Sequence, residues 1–162
     1  MADPDWMRIA LAEAVVRRED GKEVWPYPWV GAILVHDDML VARAHNEAPG
    51  SGKPHAEHTM IFQAKNNGAN LEESVLYTNM EPCSNDLALQ GACTSVIIDS
   101  GIKEVHIAMR DPYKPVRGEG IRVLEAAGIK VVFGEHEEIA RWQNEAYIHR
   151  FCPGCGEVLQ DR

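Results

Sequence analysis

The chain has 162 residues, 45% hydrophobic and 25% charged, and 25 acidic against 16 basic residues leave a net charge of −9. Length and composition fit one globular domain that buries its core without cross-links, and they exclude disordered, fibrous and membrane-spanning classes. An acidic surface with no dense Lys/Arg cluster opposes binding to a nucleic acid polymer and points to a small-molecule partner.

The first helix is expected to start at Asp3-Pro4, a carboxylate cap followed by a proline where no amide hydrogen is missed. Met7, Ala10, Leu11, Ala14 and Val15 then form one apolar stripe, and Gly21 marks the expected end. Pro26 and Pro28 bracket Tyr27 and stiffen an extended lead-in through Trp29. Residues 30–35 read as a strand, His36-Asp37-Asp38 as a turn, and residues 40–44 as an antiparallel second strand. Residues 46–54, with Pro-Gly-Ser-Gly, form a loop. A helix follows from near His55 to about Asn66, with Ala56, Met60, Ile61 and Ala64 at helical spacing.

Residues 75–78 are a third strand, broken by Met80-Glu81-Pro82; Cys83 then suits the first turn of a helix. Residues 93–100 form a helix closed by Gly101, residues 105–109 a strand, 118–127 a helix stopped by Gly128, and 129–133 the last strand. Residues 137–150 read as one helix with Ile139, Trp142 and Ala146 inward, acidic at its start and ending in His149-Arg150, as the helix dipole prefers. Strands alternating with helices after the first pair make the class α/β, with a mixed sheet covered on both faces. Two units are expected, a domain over residues 1–150 and a tail over 151–162.

Chemistry gathers in three stretches: His55-Ala56-Glu57, Pro82-Cys83 and Cys93. Zinc takes imidazole nitrogen and thiolate sulfur in a tetrahedral set, and three protein ligands leave one position for water. His55, Cys83 and Cys93 supply those three. Glu57, two positions past His55, does not share its helix face and is free to act as a proton carrier. The alternative is a core histidine with inert buried thiols. One catalytic zinc ion per chain is expected.

A His-x-Glu followed by Pro-Cys and a second Cys resembles the zinc deaminases of bases. Pro28-Trp29-Val30-Gly31-Ala32, His45, Gly52-Lys53-Pro54-His55-Ala56-Glu57, Glu81-Pro82-Cys83-Ser84 and Cys93 resemble the cytidine/deoxycytidylate deaminase superfamily. The likeness is strongest to the pyrimidine deaminase domain of riboflavin biosynthesis. Asp111-Pro112, Gly118-Glu119-Gly120-Ile121 and residues 124–129 extend it, so that it covers roughly residues 6–134. The resemblance implies a three-layer α/β/α fold with a central mixed five-stranded sheet, a homo-oligomer such as a dimer, zinc on His55, Cys83 and Cys93, and Glu57 as proton shuttle. It also places the backbone around Ala56 and the wall near residues 30–32 against the base.

Three departures stand out. Tyr27 lies where riboflavin-pathway members place an asparagine that holds substrate. Residues 84–92 differ from the family's loop in sequence and length. The 162 residues leave no room for the reductase domain that often follows in the family, so the expectation is a stand-alone member or one recruited to another aminated heterocycle.

Tyr27 and Trp29 read equally as pocket walls or as packing. Asn46 reads as a substrate contact or a loop cap, and His45 as a pocket-edge residue. Lys114 and Arg117 could grip a phosphate, though a solvated loop face is the plainer alternative. In the tail, Cys152-Pro153-Gly154-Cys155 has the shape of a metal knuckle that His149 could help complete around a second, structural zinc; a redox pair or free thiols are the alternatives. The function expected is hydrolytic deamination of a small aminated heterocycle in nucleotide metabolism, cytosine or aminopyrimidine type first. Guanine or another aminopurine, pterin and triazine are alternatives, and so is a catalytically silent zinc-stabilised scaffold. Without a basic, apolar leader the protein is expected in the cytoplasm.

Overall fold

A computed structural model describes residues 4–15, 28–47, 54–84 and 91–151. Its elements are α1 (Trp6–Val15), β1 (Gly31–His36), β2 (Met39–His45), α2 (Ala56–Asn66), β3 (Val75–Met80), α3 (Cys93–Ser100), β4 (Glu104–Met109), α4 (Glu119–Ala126), β5 (Lys130–Phe133), α5 (Glu137–Gln143) and α6 (Glu145–Phe151). The five strands form one mixed sheet in the order β2-β1-β3-β4-β5. β1 is antiparallel to both neighbours, and β3, β4 and β5 run parallel. Among the described residues no helix is long and apolar enough to cross a membrane.

β1 lies between two strands, and its first five residues are all buried, as a continuous apolar run requires when both faces are covered. Ala32 and Leu34 face a core shared with α2, α3 and α4, including Met60, Ile97 and Leu124. Ile33 and Val35 face the opposite core, built with Met7 and Leu11 of α1, Ala140 of α5 and Ile148 of α6. These are the two outer layers expected from the α/β alternation. The β1–β2 hairpin turns on Asp37 and Asp38, both at positive φ (48° and 54°), the backbone twist that a two-residue hairpin favours.

Three expectations are corrected. α1 begins at Trp6 and is capped by Asp5, whose Oδ1 accepts the Arg8 N–H at 3.2 Å, so Pro4 precedes the helix instead of opening its first turn; Asp3 and Gly21 lie outside the described residues. The C-terminal helix is two helices divided at Asn144. Its phase also differs: Trp142 is 70% exposed and Ala146 is exposed, whereas Ala140, Asn144 and Ile148 are buried. The third concerns Cys83, which stands in the irregular segment 81–84 after β3, not in a helical turn.

Candidate active site

The parallel strands β3 and β4 end on the same side of the sheet, and α2, α3 and α4 start there, which places a crevice at the carboxyl ends of the strands. His55 is the N-cap residue of α2 and Cys93 the first residue of α3. Cys83 follows β3 by three residues and is held to the start of α3: the Thr94 N–H donates to its carbonyl at 3.1 Å and the Cys93 N–H to its Sγ at 3.3 Å. His55 Nδ1 lies 3.2 Å from Cys93 Sγ and 3.6 Å from Cys83 Sγ, and the two sulfurs are 3.2 Å apart. The set grades from exposed His55 through half-buried Cys83 to buried Cys93, so the site opens to solvent on its imidazole side.

Glu57, the second residue of α2, is 3% exposed and reaches Cys93. Burial pushes its carboxyl pKa up, and the Cys83 sulfur adds to the effect. The Cys83 thiol is drawn down to about 4, first by the Cys93 thiol that donates to it, then by His55 and the Cys93 N–H. Cys93 moves the other way, through the same shared proton and its burial. His55 is raised by its bond to Cys83. Two sulfurs and an imidazole thus compete for protons in a space that a cation would neutralise. Tetrahedral zinc sets its donor atoms roughly 3.4–3.8 Å apart. The observed separations of 3.2–3.6 Å require only small adjustment, so the donor set fits zinc.

The structure distributes the remaining candidates differently. Tyr27, Cys152 and Cys155 lie outside the described residues. Ala56 is fully buried at the first turn of α2. Asn46 turns its amide on its own chain, accepting the Val30 N–H at 3.0 Å and donating to the Pro28 carbonyl at 2.6 Å. Trp29 is half-buried, its backbone bound by two other asparagines. His45 Nδ1 is 2.9 Å from the buried Glu13 carboxylate. Arg117 donates to the carbonyls of Asp111 and Pro112 at 3.2 and 2.6 Å and so braces its own loop, while Lys114 is exposed. His149 pairs with Glu145 at 3.6 Å on the surface of α6.

Glu81 is the residue that sequence reasoning missed. It is 4% exposed, and its carboxylate accepts the N–H groups of Asp111 (3.1 Å), Gly118 (2.9 Å) and Ile121 (3.2 Å). It therefore ties the turn carrying Cys83 to the start of α4. Its place beside Pro82-Cys83 at the end of an apolar strand gives no role to the acid, because its partners lie 30 to 40 residues away.

Beside it, burial raises Asp111 from 3.8 to about 6, with the charges of Glu81 and Cys83 adding to the effect. The folded state then holds this proton more tightly than the unfolded chain, so Asp111 lowers stability as pH rises between those values. Asp111→Asn keeps an oxygen for the Tyr113 N–H, 2.8 Å away, and removes the charge. The melting temperature of the variant relative to wild type is expected to increase between pH 4 and pH 7; a constant difference across that range would count against a buried titrating Asp111.

Comparison with known proteins places this geometry. The model of the cytidine and deoxycytidylate deaminase zinc-binding region matches residues 2–109. The chloroplastic riboflavin biosynthesis protein PYRD of Zea mays is 38% identical over 152 residues, 94% of this chain and 36% of that protein. The riboflavin biosynthesis protein RibD of Aquifex aeolicus is 37% identical over 146 residues, 90% of this chain and 38% of its own length. The chain thus spans little more than a third of these relatives. The Thermotoga maritima diaminohydroxyphosphoribosylaminopyrimidine deaminase/5-amino-6-(5-phosphoribosylamino)uracil reductase superposes with a TM-score of 0.80 at 34% identity, over 91% of this chain and 40% of that one. The donor set, the sheet order and the matched region agree: the chain belongs to the cytidine and deoxycytidylate deaminase family, whose members are zinc-dependent hydrolases that remove an amino group from a heterocyclic ring.

Proposed function

We propose that this chain hydrolytically deaminates a small aminopyrimidine, replacing an exocyclic amine by a carbonyl oxygen and releasing ammonia. The observation that carries it is the convergence of His55, Cys83 and Cys93 with the buried carboxylate of Glu57 beside them. Zinc held by His55 Nδ1 and the two sulfurs would supply a Lewis acid that makes water nucleophilic near neutral pH. Glu57 takes a proton from the attacking water and passes it to the ring nitrogen beside the reacting carbon; it then takes the remaining proton of the added hydroxyl and passes it to the amine, which leaves as ammonia while the oxygen becomes the carbonyl. Its burial suits that work, because a carboxyl kept from bulk water can hold the proton between transfers.

For substrate we infer a phosphoribosylated diaminopyrimidine of the kind named for the Thermotoga maritima relative, supported by the 34% identity to that protein. Tyr27, in place of an amide side chain, sets this chain apart and makes the ring substituents the feature to vary. The same reading includes one catalytic zinc per chain, a homo-oligomer and a cytoplasmic location.

The test is ammonia release by the zinc-loaded protein from cytosine, guanine, adenine, triazine, pterin and aminopyrimidine compounds, with and without ribose phosphate. Release from an aminopyrimidine, abolished by a chelator, is expected. Release only from guanine, pterin or triazine would move the substrate class. One zinc per chain with no ammonia from any compound would make the protein a scaffold.

A further inference from the structure

The matched family region ends at residue 109, yet the helices beyond it reach back to the segment ahead of β1. Asn144, at the break between α5 and α6, is 1% exposed. Its Oδ1 accepts the Trp29 N–H at 2.6 Å, and its Nδ2 donates to the carbonyls of Trp29 at 3.2 Å and Ala140 at 3.1 Å. Asn79 of β3 accepts the Gly31 N–H at 2.9 Å and donates to the Trp29 carbonyl at 2.8 Å. Asn46, just after β2, accepts the Val30 N–H and donates to the Pro28 carbonyl, while its own N–H donates to the Val30 carbonyl at 3.0 Å. Every N–H from Trp29 to Gly31 and every carbonyl from Pro28 to Val30 is therefore bound by an asparagine.

An amide side chain pairs a donor with an acceptor as a peptide group does, so three of them can replace the ladder that a neighbouring strand would provide. The three come from three elements, and the clamped segment is thereby fixed to the sheet, the hairpin and the C-terminal helix pair together. It runs beside the site. Ala32 pairs with Thr78 in antiparallel register, so the chain ahead of Ala32 lies alongside the chain that leads from Asn79 to Cys83. Val30 packs against the core that contains Ala56, between His55 and Glu57. The helix pair also reaches the loop that follows Asp111, where Phe151 of α6 and Tyr113 meet edge-on at 5.5 Å between ring centroids.

We infer that Asn144 is a positioning residue for substrate. Through the Trp29 backbone it makes the α5–α6 pair hold residues 28–30, the lead-in to the wall near residues 30–32, in place beside His55, Glu57, Cys83 and Cys93. This rests on the deaminase reading above and deepens it. Asn144 touches no reacting atom; it acts through the wall.

The experiment compares wild type, Asn144→Ala and Ile148→Ala as full zinc-loaded chains. Ile148 is buried on the same helix pair at 4% exposure and makes no clamp bond, so its truncation reports plain destabilisation. The substrate is whichever aminopyrimidine wild type deaminates fastest. In Asn144→Ala, KM is expected to rise about tenfold with kcat little changed, the signature of binding lost equally from ground and transition states. Faster hydrogen exchange at the Trp29 amide should accompany it, and Ile148→Ala should show neither change. Where Asn144→Ala does not fold, Asn144→Ser carries the same comparison. An unchanged KM in the Asn144 variant, or an equal rise in Ile148→Ala, overturns the positioning role and leaves the deaminase reading standing. Absence of ammonia release by wild type from every aminopyrimidine overturns both.

Discussion

Replacing Glu57 by Gln is expected to lower kcat for ammonia release by about 10²–10⁴-fold, the range that a positioned general acid–base contributes. Zinc content should stay at wild type, because the three donor atoms that converge come from His55, Cys83 and Cys93 and the Glu57 carboxylate is not among them. KM should move little, since the amide keeps the size of the carboxyl while losing the capacity to accept a proton. Stability should hold or rise. Glu57 is buried against two sulfurs, and burial disfavours its charged form, so an uncharged isostere removes a strained ionisation. A catalytic group that destabilises its own fold is the pattern expected of an active site. Ammonia release, metal analysis and thermal melting on one preparation check all four. An undiminished rate in Glu57→Gln would remove the carboxylate from the mechanism, and zinc loss in the variant would make it a ligand instead of a proton carrier.

The metal donors were readable because zinc restricts its ligands to few residue types, and because each one follows a strand end or opens a helix. The chain brings them from positions 55, 83 and 93 to within 4.8 Å of one another. The stripes of α1 and α2 were readable for a similar reason, since each helix lays one face on a sheet and buries Met7, Ala10, Leu11 and Ala14, or Ala56, Met60, Ile61 and Ala64. The C-terminal helix pair inverts that logic. Trp142 is the larger apolar residue and stands in solvent, whereas polar Asn144 is drawn inward by the backbone of Trp29, 115 residues away. No local period records a side chain buried to satisfy a distant peptide group. Asn46 shows the same limit, because its identity fits a substrate contact as well as the backbone brace that it forms. Glu81 differs again: a charged residue at a strand end reads as solvent-facing until three amides from the β4–α4 loop and the first turn of α4 surround it.

Glu81→Ala should therefore be the most damaging change that touches neither metal nor substrate. It strips the acceptor from three N–H groups, two at the start of α4 and that of Asp111 in the loop after β4, and leaving them without a partner costs roughly 3–5 kcal/mol. Glu81→Gln retains one oxygen but turns an amino group toward donors, for a loss of about 1–3 kcal/mol. The effect should extend to the metal, since Cys83 lies two residues beyond and its turn is anchored through this carboxylate. Gly120→Ala strains the same contact from the opposite side: a Cβ there would collide with the Pro82 carbonyl and come within 3.0 Å of Glu81 Cγ. Backbone cannot swing aside as a flexible side chain does, so α4 must shift, at a cost of about 1–3 kcal/mol. Both variants are expected to lose zinc to a chelator faster than wild type, at temperatures well below melting. Glu119→Ala on the exposed first turn of the same helix, where the acid pairs with Arg122, should melt and hold zinc as wild type does. If Glu81→Ala kept both melting temperature and zinc retention, the strut from α4 to Cys83 would carry no load, and the position of Cys83 would have to come from the amides of Cys93 and Thr94 alone.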